Sequence, residues 1–531
     1  MFERMLRRER VGHSMPNPDY DLVILGGGLA GGLLARQMRL QRPDLKILVL
    51  ERATDTSYKV GEATVELFSN YLVRKLGMSS YLYENHLPKN GLRFFFDEGQ
   101  SDSPITSLSE IGSYGLPFHP SFQLDRSELE RELRDSSAAR GADVLEGCKV
   151  TDIQLGTPHH LVEFNEQSQA RRVSTTWVVD ATGRAGLMAR KLGLRVPEEQ
   201  HKCHAAWARL EGVADLDAPE IDQAWRDRTR NTSRRLSTVH FMHRGHWTWL
   251  IPLRGGVTSV GVVGDTRHVG REILRQEGLK DFLSRQRACR ELVEHADWID
   301  FGAYGQLAYG TKQWFGDRWA VIGEAAAFSD PFYSPGSDFI TLANDYVADL
   351  VARQHDGEDI EERQRLYDGY LQFRYAANLP LYRDQYELFG SYELMSIKWN
   401  LDIAAYYALW VNSYLQDLHM DLADLRHELR QSSFVVKSLE QFAKLFGQTE
   451  QAVTAAGGYH RSNLHEFAEA LGSVSFTKDV GMMTREQAAT CTLKAFRIAR
   501  ASCFDLLGCP ADPDEKLGFA DFVMGAALQP T

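Results

Sequence analysis

Three short stretches of this chain have residue types and spacings suited to chemistry. The first is Gly26-Gly27-Gly28-Leu29-Ala30-Gly31, a G-x-G-x-x-G pattern. Gly26 permits a tight turn, Gly28 lets a pyrophosphate approach the backbone, and Gly31 lets helix and strand pack closely. Leu29 and Ala30 open the following helix, whose N-terminus stabilises phosphate charge. Glu51 stands 20 residues past Gly31, with Arg52 next to it. A carboxylate at that distance accepts the ribose hydroxyls of a dinucleotide. The second stretch, Trp247-Thr248-Trp249-Leu250-Ile251-Pro252, sets two indoles at i and i+2 of one strand, on the same side. The third is Pro88-Lys89-Asn90-Gly91, a lone lysine ahead of a strand-like segment. Such a lysine is either a surface group with a solvated head or a buried ammonium whose pKa is lowered.

The elements that must position these groups follow from periodicity. Residues 20–25 are a short apolar run ending in glycines, as a buried parallel strand is. A helix pattern over 29–40 and a second strand over 46–50 give the βαβ unit of a nucleotide-binding domain. Residues 122–139 have helical spacing, and 172–180 read as a strand. Alternating segments over 204–265 fit antiparallel strands of a second sheet, and 318–323 is another buried strand leading into a glycine. From about Phe339 to about residue 508 long helical patterns dominate, with aromatics crowded over 386–411. The expected organisation is a disordered leader over 1–17, an α/β body over 18–345 with an interleaved mixed sheet, and a helical region over 346–531.

Composition narrows the partners. Lys+Arg number 60 and Asp+Glu 72 in 531 residues, a net charge of −12, which argues against nucleic acid and anionic membrane. No apolar run reaches the roughly 18 residues of a membrane-spanning helix. The six cysteines form no C-x-x-C pair, and scattered thiols of this kind fit a reducing, cytoplasmic setting. His201-Lys202-Cys203-His204 has metal-ligand residue types. Entering a strand, however, its alternate residues point to opposite faces, so a structural role is expected and no metal is assigned.

Distant motifs decide which dinucleotide binds. Val178-Val179-Asp180-Ala181-Thr182-Gly183 resembles the strand-plus-ATG turn of FAD proteins. Gly323-Glu324-Ala325 resembles the late motif whose acid binds the flavin ribityl chain, with Glu in place of the usual Asp. Arg126, in the helix pattern after Phe122, resembles the arginine that approaches the flavin phosphates. Together these resemble the p-hydroxybenzoate-hydroxylase-like FAD fold, with a mixed-sheet substrate domain and a helical C-terminal region. No second G-x-G-x-x-G is present, so NADPH either binds transiently or reduced flavin comes from a separate reductase.

W-x-W-x-I-P, here Trp247, Trp249, Ile251 and Pro252, is the signature of flavin-dependent halogenases, which this chain resembles. Gly61-Glu62-Ala63-Thr64 is similar to that family's G-E-A-T turn, and Lys89 to its catalytic lysine. Asp330-Pro331-Phe332-Tyr333-Ser334-Pro335-Gly336 resembles the loop that covers the flavin and holds a halide. Pro335 has no N–H, so Ser334 and Gly336 are the expected halide donors. The resemblance places Gly61, Glu62, Ala63, Val150, Asp180, Gly183, Gly323, Pro331 and Gly336 in the FAD set with the glycine turn, Glu51, Arg52, Arg126 and Glu324. It implies that reduced FAD and O2 form a hydroperoxide, that halide attacks it to give hypohalous acid, and that Lys89 presents this acid to an aromatic substrate in secondary metabolism. It implies a separate flavin reductase, and a monomer or homodimer. Tyr333 stands where tryptophan halogenases carry a glutamate, which favours phenols, or phenol or pyrrole groups tethered to a carrier protein. The alternative is a single-component FAD hydroxylase of the same fold.

Overall fold

A computed structural model describes residues 17–55, 57–470 and 476–529. The expected leader therefore lies outside the described residues, apart from Asn17. In chain order, β1 (Tyr20–Leu25), α1 (Leu29–Gln41) and β2 (Ile47–Leu50) open the fold. β3 (Leu87–Lys89), β4 (Leu92–Phe96), β5 (Ser109–Gly112) and β6 (Ser121–Gln123) follow. Then come α2 (Arg126–Ala139), β7 (Asp143–Leu145) and β8 (Gln169–Asp180). β9 (Cys203–Glu211), β10 (Thr238–His243), β11 (His246–Pro252) and β12 (Val257–Asp265) form the second half of the body. β13 (Trp319–Val321) precedes α3 (Pro335–His355), α4 (Glu361–Asn378), α5 (Tyr392–Ala405) and β14 (Phe467–Glu469).

The first sheet runs Phe315–Gly316, β13, β8, β1, β2, β7. Its register aligns the strand ends: Leu25 pairs with both Leu50 and Asp180, and Asp180 with Val321, all in parallel. Gly26, Glu51, Ala181 and Ile322 therefore leave the sheet along one carboxyl edge, where open α/β sheets bind ligands. Leu22, Val23, Ile24 and Leu25 are fully buried, in one apolar cluster with Leu33 and Leu34 of α1 and Leu342 and Val347 of α3.

The second sheet runs Asp297–Trp298, β9, β12, β11, β10, β4, β5, β14. β10 and β4 are parallel, as are β5 and β14. The C-terminal part is thus mainly helical but contributes β14, a strand that periodicity did not show. Three residues long, it has no alternation to read and exists through its pairing with β5.

Two boundaries move. The helix expected over 122–139 begins at Arg126, because Ser121–Gln123 pairs with β3 and Asp125 caps the helix through the Ser127 and Glu128 amides. The helical region begins at Pro335, a residue suited to a first helical turn, so position 345 falls inside α3. The six cysteines are free thiols, and no described helix is long and apolar enough to cross a membrane.

Candidate active site

The glycine turn is built as its spacing requires. Gly26 adopts φ 99°, and a Cβ there would lie 2.5 Å from the Ala181 carbonyl oxygen. A Cβ at Gly31 would lie 1.9 Å from the Gly26 carbonyl oxygen, so helix and turn can meet only at glycine. α1 begins at Leu29 with no side-chain cap and no acid in its first turn, which leaves its opening amides, including that of Ala30, for an anion. Glu51 accepts hydrogen bonds from the Gly27 amide at 2.7 Å and the Ala53 amide at 2.9 Å. This fixes the carboxylate beside the turn. Arg52 is exposed next to it.

Other expected FAD residues gather around this edge, with differences of role. Gly323 touches α1, since a Cβ on it would lie 3.0 Å from the Ala30 Cβ. Glu324 is partly exposed, 3.9 Å from the Arg184 guanidinium. Gly183 has no neighbour where a side chain would project. Asp180, by contrast, is fully buried, and its carboxylate accepts from the Thr182 amide and hydroxyl and the Met188 amide. It shapes the turn from inside and has no free face toward a ligand. Val150 lies on the strand Cys148–Gln154, half-buried and paired with Phe164. Arg126 donates to the Val60 carbonyl and pairs with Glu130 at 2.6 Å, and its Nε has no hydrogen-bond partner among the described residues. Glu130, which the sequence reading passed over, is fully buried, also pairs with Lys59, and lies 3.7 Å from where a Gly28 side chain would begin. An uncapped helix start, an open Gly28, and an arginine with an unused donor are a fitting donor set for a dinucleotide.

The Gly61–Thr64 turn and Lys89 are one unit. The Thr64 amide donates to the Phe122 carbonyl at 3.0 Å, and Ala63 bridges to Gln123. Glu62 is buried in an ion pair with Arg209 at 2.6 Å and accepts from the Gly61 amide. β3 pairs with β6, which brings the Lys89 Nζ to the Thr64 carbonyl oxygen at 2.6 Å. Lys89 is 3% exposed, so the surface-lysine reading is excluded. Burial lowers its pKa to about 8, with the Glu66 carboxylate opposing the shift.

Trp247 and Trp249 lie on one side of β11, both buried, with ring centroids 5.7 Å apart. Ile251 joins the same cluster, and Pro252 ends the strand. Trp247 packs on Phe332 at 5.2 Å and on His240 at 5.4 Å, and His240 stacks on Phe94 at 5.0 Å. The signature strand is thereby one face of an aromatic wall whose other face is the 330–336 loop. Burial drops the His240 pKa to about 3, so its ring is neutral. Sequence spacing gave no sign of His240, since only the pairing of β10 with β4 and β11 puts it here.

The loop itself is held in a costly backbone. Tyr333 and Ser334 have φ of 66° and 54°, left-handed values for which non-glycine residues need support from their surroundings. The support is a buried brace. Asp330 accepts from the Tyr386 hydroxyl at 2.8 Å and lies 2.6 Å from the His201 Nε2, while Trp247 Nε1 donates to the Tyr386 oxygen at 3.1 Å. His201, Cys203 and Asp330 come within metal-binding distance of one another. Their geometry is that of the brace: Asp330 is taken up by hydrogen bonds, and burial pushes the Cys203 thiol well above its ordinary pKa, which disfavours the thiolate a metal needs. Tyr386→Phe should leave a buried indole N–H and a carboxylate oxygen short of a partner, costing about 1–3 kcal/mol of stability by denaturant titration. One halide expectation changes here. The Ser334 amide donates to the Pro331 carbonyl at 3.0 Å, closing the turn, so only the Ser334 hydroxyl and the Gly336 amide remain for an anion.

Next to Lys89 and Thr64 lies a cavity of about 100 Å³. Its lining includes Val65, Asn90 and Gly91 with the rings of Tyr333, Trp399 and Tyr406. Glu66, Asp338, Arg374 and Asp402 supply its charged groups. The aromatic run over 386–411 is therefore partly cavity wall and not core alone. The four charged residues were not anticipated. The one local signal was Asp338, a lone acid opening the apolar stretch Phe339-Ile340-Thr341-Leu342.

Residues 19–332 match the family model described as FAD binding domain. The flavin-dependent halogenase chlA of Dictyostelium discoideum is 26% identical over 440 residues, 76% of this chain and 72% of the relative. The 1H-pyrrole-2-carbonyl-[peptidyl-carrier protein] chlorinase of Pseudomonas fluorescens is 26% identical over 353 residues, 61% of this chain and 73% of the relative. Among solved structures, halogenase PltM in complex with phloroglucinol and FAD superposes with a TM-score of 0.65 at 18% identity, over 90% of this chain and 98% of that one. This last likeness concerns the fold.

Proposed function

This chain belongs to the FAD binding domain family, and from that premise we propose that it is a two-component flavin-dependent halogenase of an electron-rich aromatic ring, of phenol or pyrrole type, free or carrier-tethered. The observation that carries the reading is Lys89, a buried ammonium held at 2.6 Å by the Thr64 carbonyl beside an aromatic-lined cavity. Relatives named as a flavin-dependent halogenase and as a pyrrole-carrier chlorinase support it.

FAD, bound at the carboxyl edge of the first sheet and reduced by a separate reductase, supplies the oxidation of halide by O2. The chain does the rest. The first turn of α1 holds the pyrophosphate, Glu51 the ribose, and Glu324 the ribityl chain. The Ser334 hydroxyl and Gly336 amide hold the halide. The wall of Trp247, Phe332 and His240 keeps the aromatic substrate from the cofactor. Lys89, with a pKa near 8, is mostly ammonium at neutral pH and donates to the oxygen of hypohalous acid. It thereby polarises the halogen and aims it at a ring in the cavity, so that positioning and exclusion of water lower the barrier. Ser334→Ala removes one donor to an anion and should raise the halide KM about tenfold, with FAD affinity unchanged.

The test is mass spectrometry of the protein with FAD, a flavin reductase, NADH, bromide and a panel of phenols, indoles and pyrroles. Brominated product that depends on the reductase is the expected result. Hydroxylated product without bromide would replace this reading with that of a hydroxylase.

A further inference from the structure

The cavity beside Lys89 holds three carboxylates, and their partners distinguish them. Glu66 accepts from the Tyr407 hydroxyl at 3.0 Å. Asp402 Oδ2, though it accepts no hydrogen bond among the described residues, has the Lys398 ammonium 2.9 Å away to neutralise it. Asp338 is 5% exposed, and its Oδ1 has no hydrogen-bond partner among the described residues. Its nearest cation is the Arg374 guanidinium, 3.8 Å from Oδ2, too far for a good hydrogen bond. A buried carboxylate oxygen left unpaired costs stability unless something else uses it.

Resting on the reading of the site as a halogenase, we propose that Asp338 is a catalytic base that accepts the hydroxyl proton of a neutral phenol bound in the cavity. The proton balance closes within the site. As the ring π-electrons form the carbon–halogen bond, the phenol O–H proton passes to the Asp338 carboxylate. The halogen–oxygen bonding pair leaves with oxygen, which takes a proton from the Lys89 ammonium and departs as water. The ring C–H pair then restores aromaticity, its proton passes to neutral Lys89, and Asp338 returns its proton to the ring oxygen. The sum is arene plus hypohalous acid giving haloarene plus water, with the ring oxidised and the halogen reduced. Phenolate is far more electron-rich than phenol, so proton removal at this point is where a base gains most.

The site's titration matches such a role. Burial pushes Asp338 up to about 7, Arg374 on α4 opposes the rise, and Glu66 adds to it. Tyr406 and Tyr382 also face the group, and both are held neutral by burial. Asp338 must be ionised to act and Lys89 must be protonated. The rate with a neutral phenol should therefore rise through pH 7 and fall above pH 8.

The test compares the holoenzyme with Asp338→Asn and Asp338→Glu on a series of halogenatable phenols of decreasing pKa. Asp338→Asn should lower kcat at least 100-fold on an ordinary phenol, erase the rising limb of the pH profile, and lose most of its defect on phenols already ionised at the assay pH. Asp338→Glu should restore part of the rate. An Asn variant with the same defect on every phenol and an unchanged profile would overturn the role of Asp338. Halogenation of pyrroles but of no phenol by the unaltered protein would overturn the phenol-base role of Asp338 and leave the halogenase reading standing, whereas no halogenated product from phenols, indoles or free or carrier-tethered pyrroles would overturn the halogenase reading.

Discussion

Replacing Lys89 should abolish halogen transfer while leaving the flavin half of the protein intact. Lys89→Met keeps most of the side-chain volume and removes the charge. A fall of about 10³-fold in product formation is expected, the scale of a lost preorganised donor in a closed site. FAD affinity and oxidation of reduced flavin should be unchanged, because the Lys89 ammonium is held by the Thr64 carbonyl on the β3–β6 pair, while the dinucleotide turn lies at the edge of a different sheet. Arg374 does not substitute for it, being drawn to Asp338 and lying over the Trp410 ring at 4.1 Å. Product quantified by mass spectrometry, beside FAD titration by fluorescence, separates the two halves. A Met variant that keeps half the unaltered rate would remove Lys89 from the mechanism.

The second large effect is at the dinucleotide turn. Gly28→Asp should cost FAD affinity at least 100-fold without costing the fold. Gly28 is the N-cap of α1, in an extended backbone (φ −73°, ψ −165°) that any residue adopts. The nearest protein atom to a Cβ there is a Glu130 carboxylate oxygen 3.7 Å away, so the side chain has room, and the charge of Glu130 is already neutralised by Arg126 and Lys59. Asp is a favoured N-cap, contributing about 1 kcal/mol to the free helix. Its carboxylate would take the amides that a pyrophosphate requires and would set a negative charge against negative phosphates. Gly31→Ala would also lose FAD, but by a clash of 1.9 Å with the Gly26 carbonyl that breaks helix packing. Circular dichroism of the FAD-free protein tells the two apart. An aspartate variant that is folded and binds FAD as tightly as the parent would show that this helix start does not hold the cofactor.

Much of the nucleotide half was legible because its code is local. A glycine triplet after an apolar run, then a helix, then a strand ending in Glu51, is one continuous stretch whose backbone needs each residue type where it stands. Trp247 and Trp249 share a face because strand side chains alternate, whatever surrounds them. The strands within residues 204–265 followed from the same alternation.

Tertiary structure decided the chemistry of the pocket. The Lys89 ammonium meets the Thr64 carbonyl only because β3 pairs with β6. Asp338, Arg374, Glu66 and Asp402 come from four separated segments, and no spacing rule links them. The Ser334 amide looked free in sequence, yet the left-handed turn spends it on Pro331. Asp180 looked like a ligand, yet the turn after β8 encloses it. Local sequence determines backbone geometry, because that geometry depends on neighbours in the chain. Which polar atoms remain unpaired, and how far burial moves their protons, depends on neighbours in space, and only the packed fold sets those.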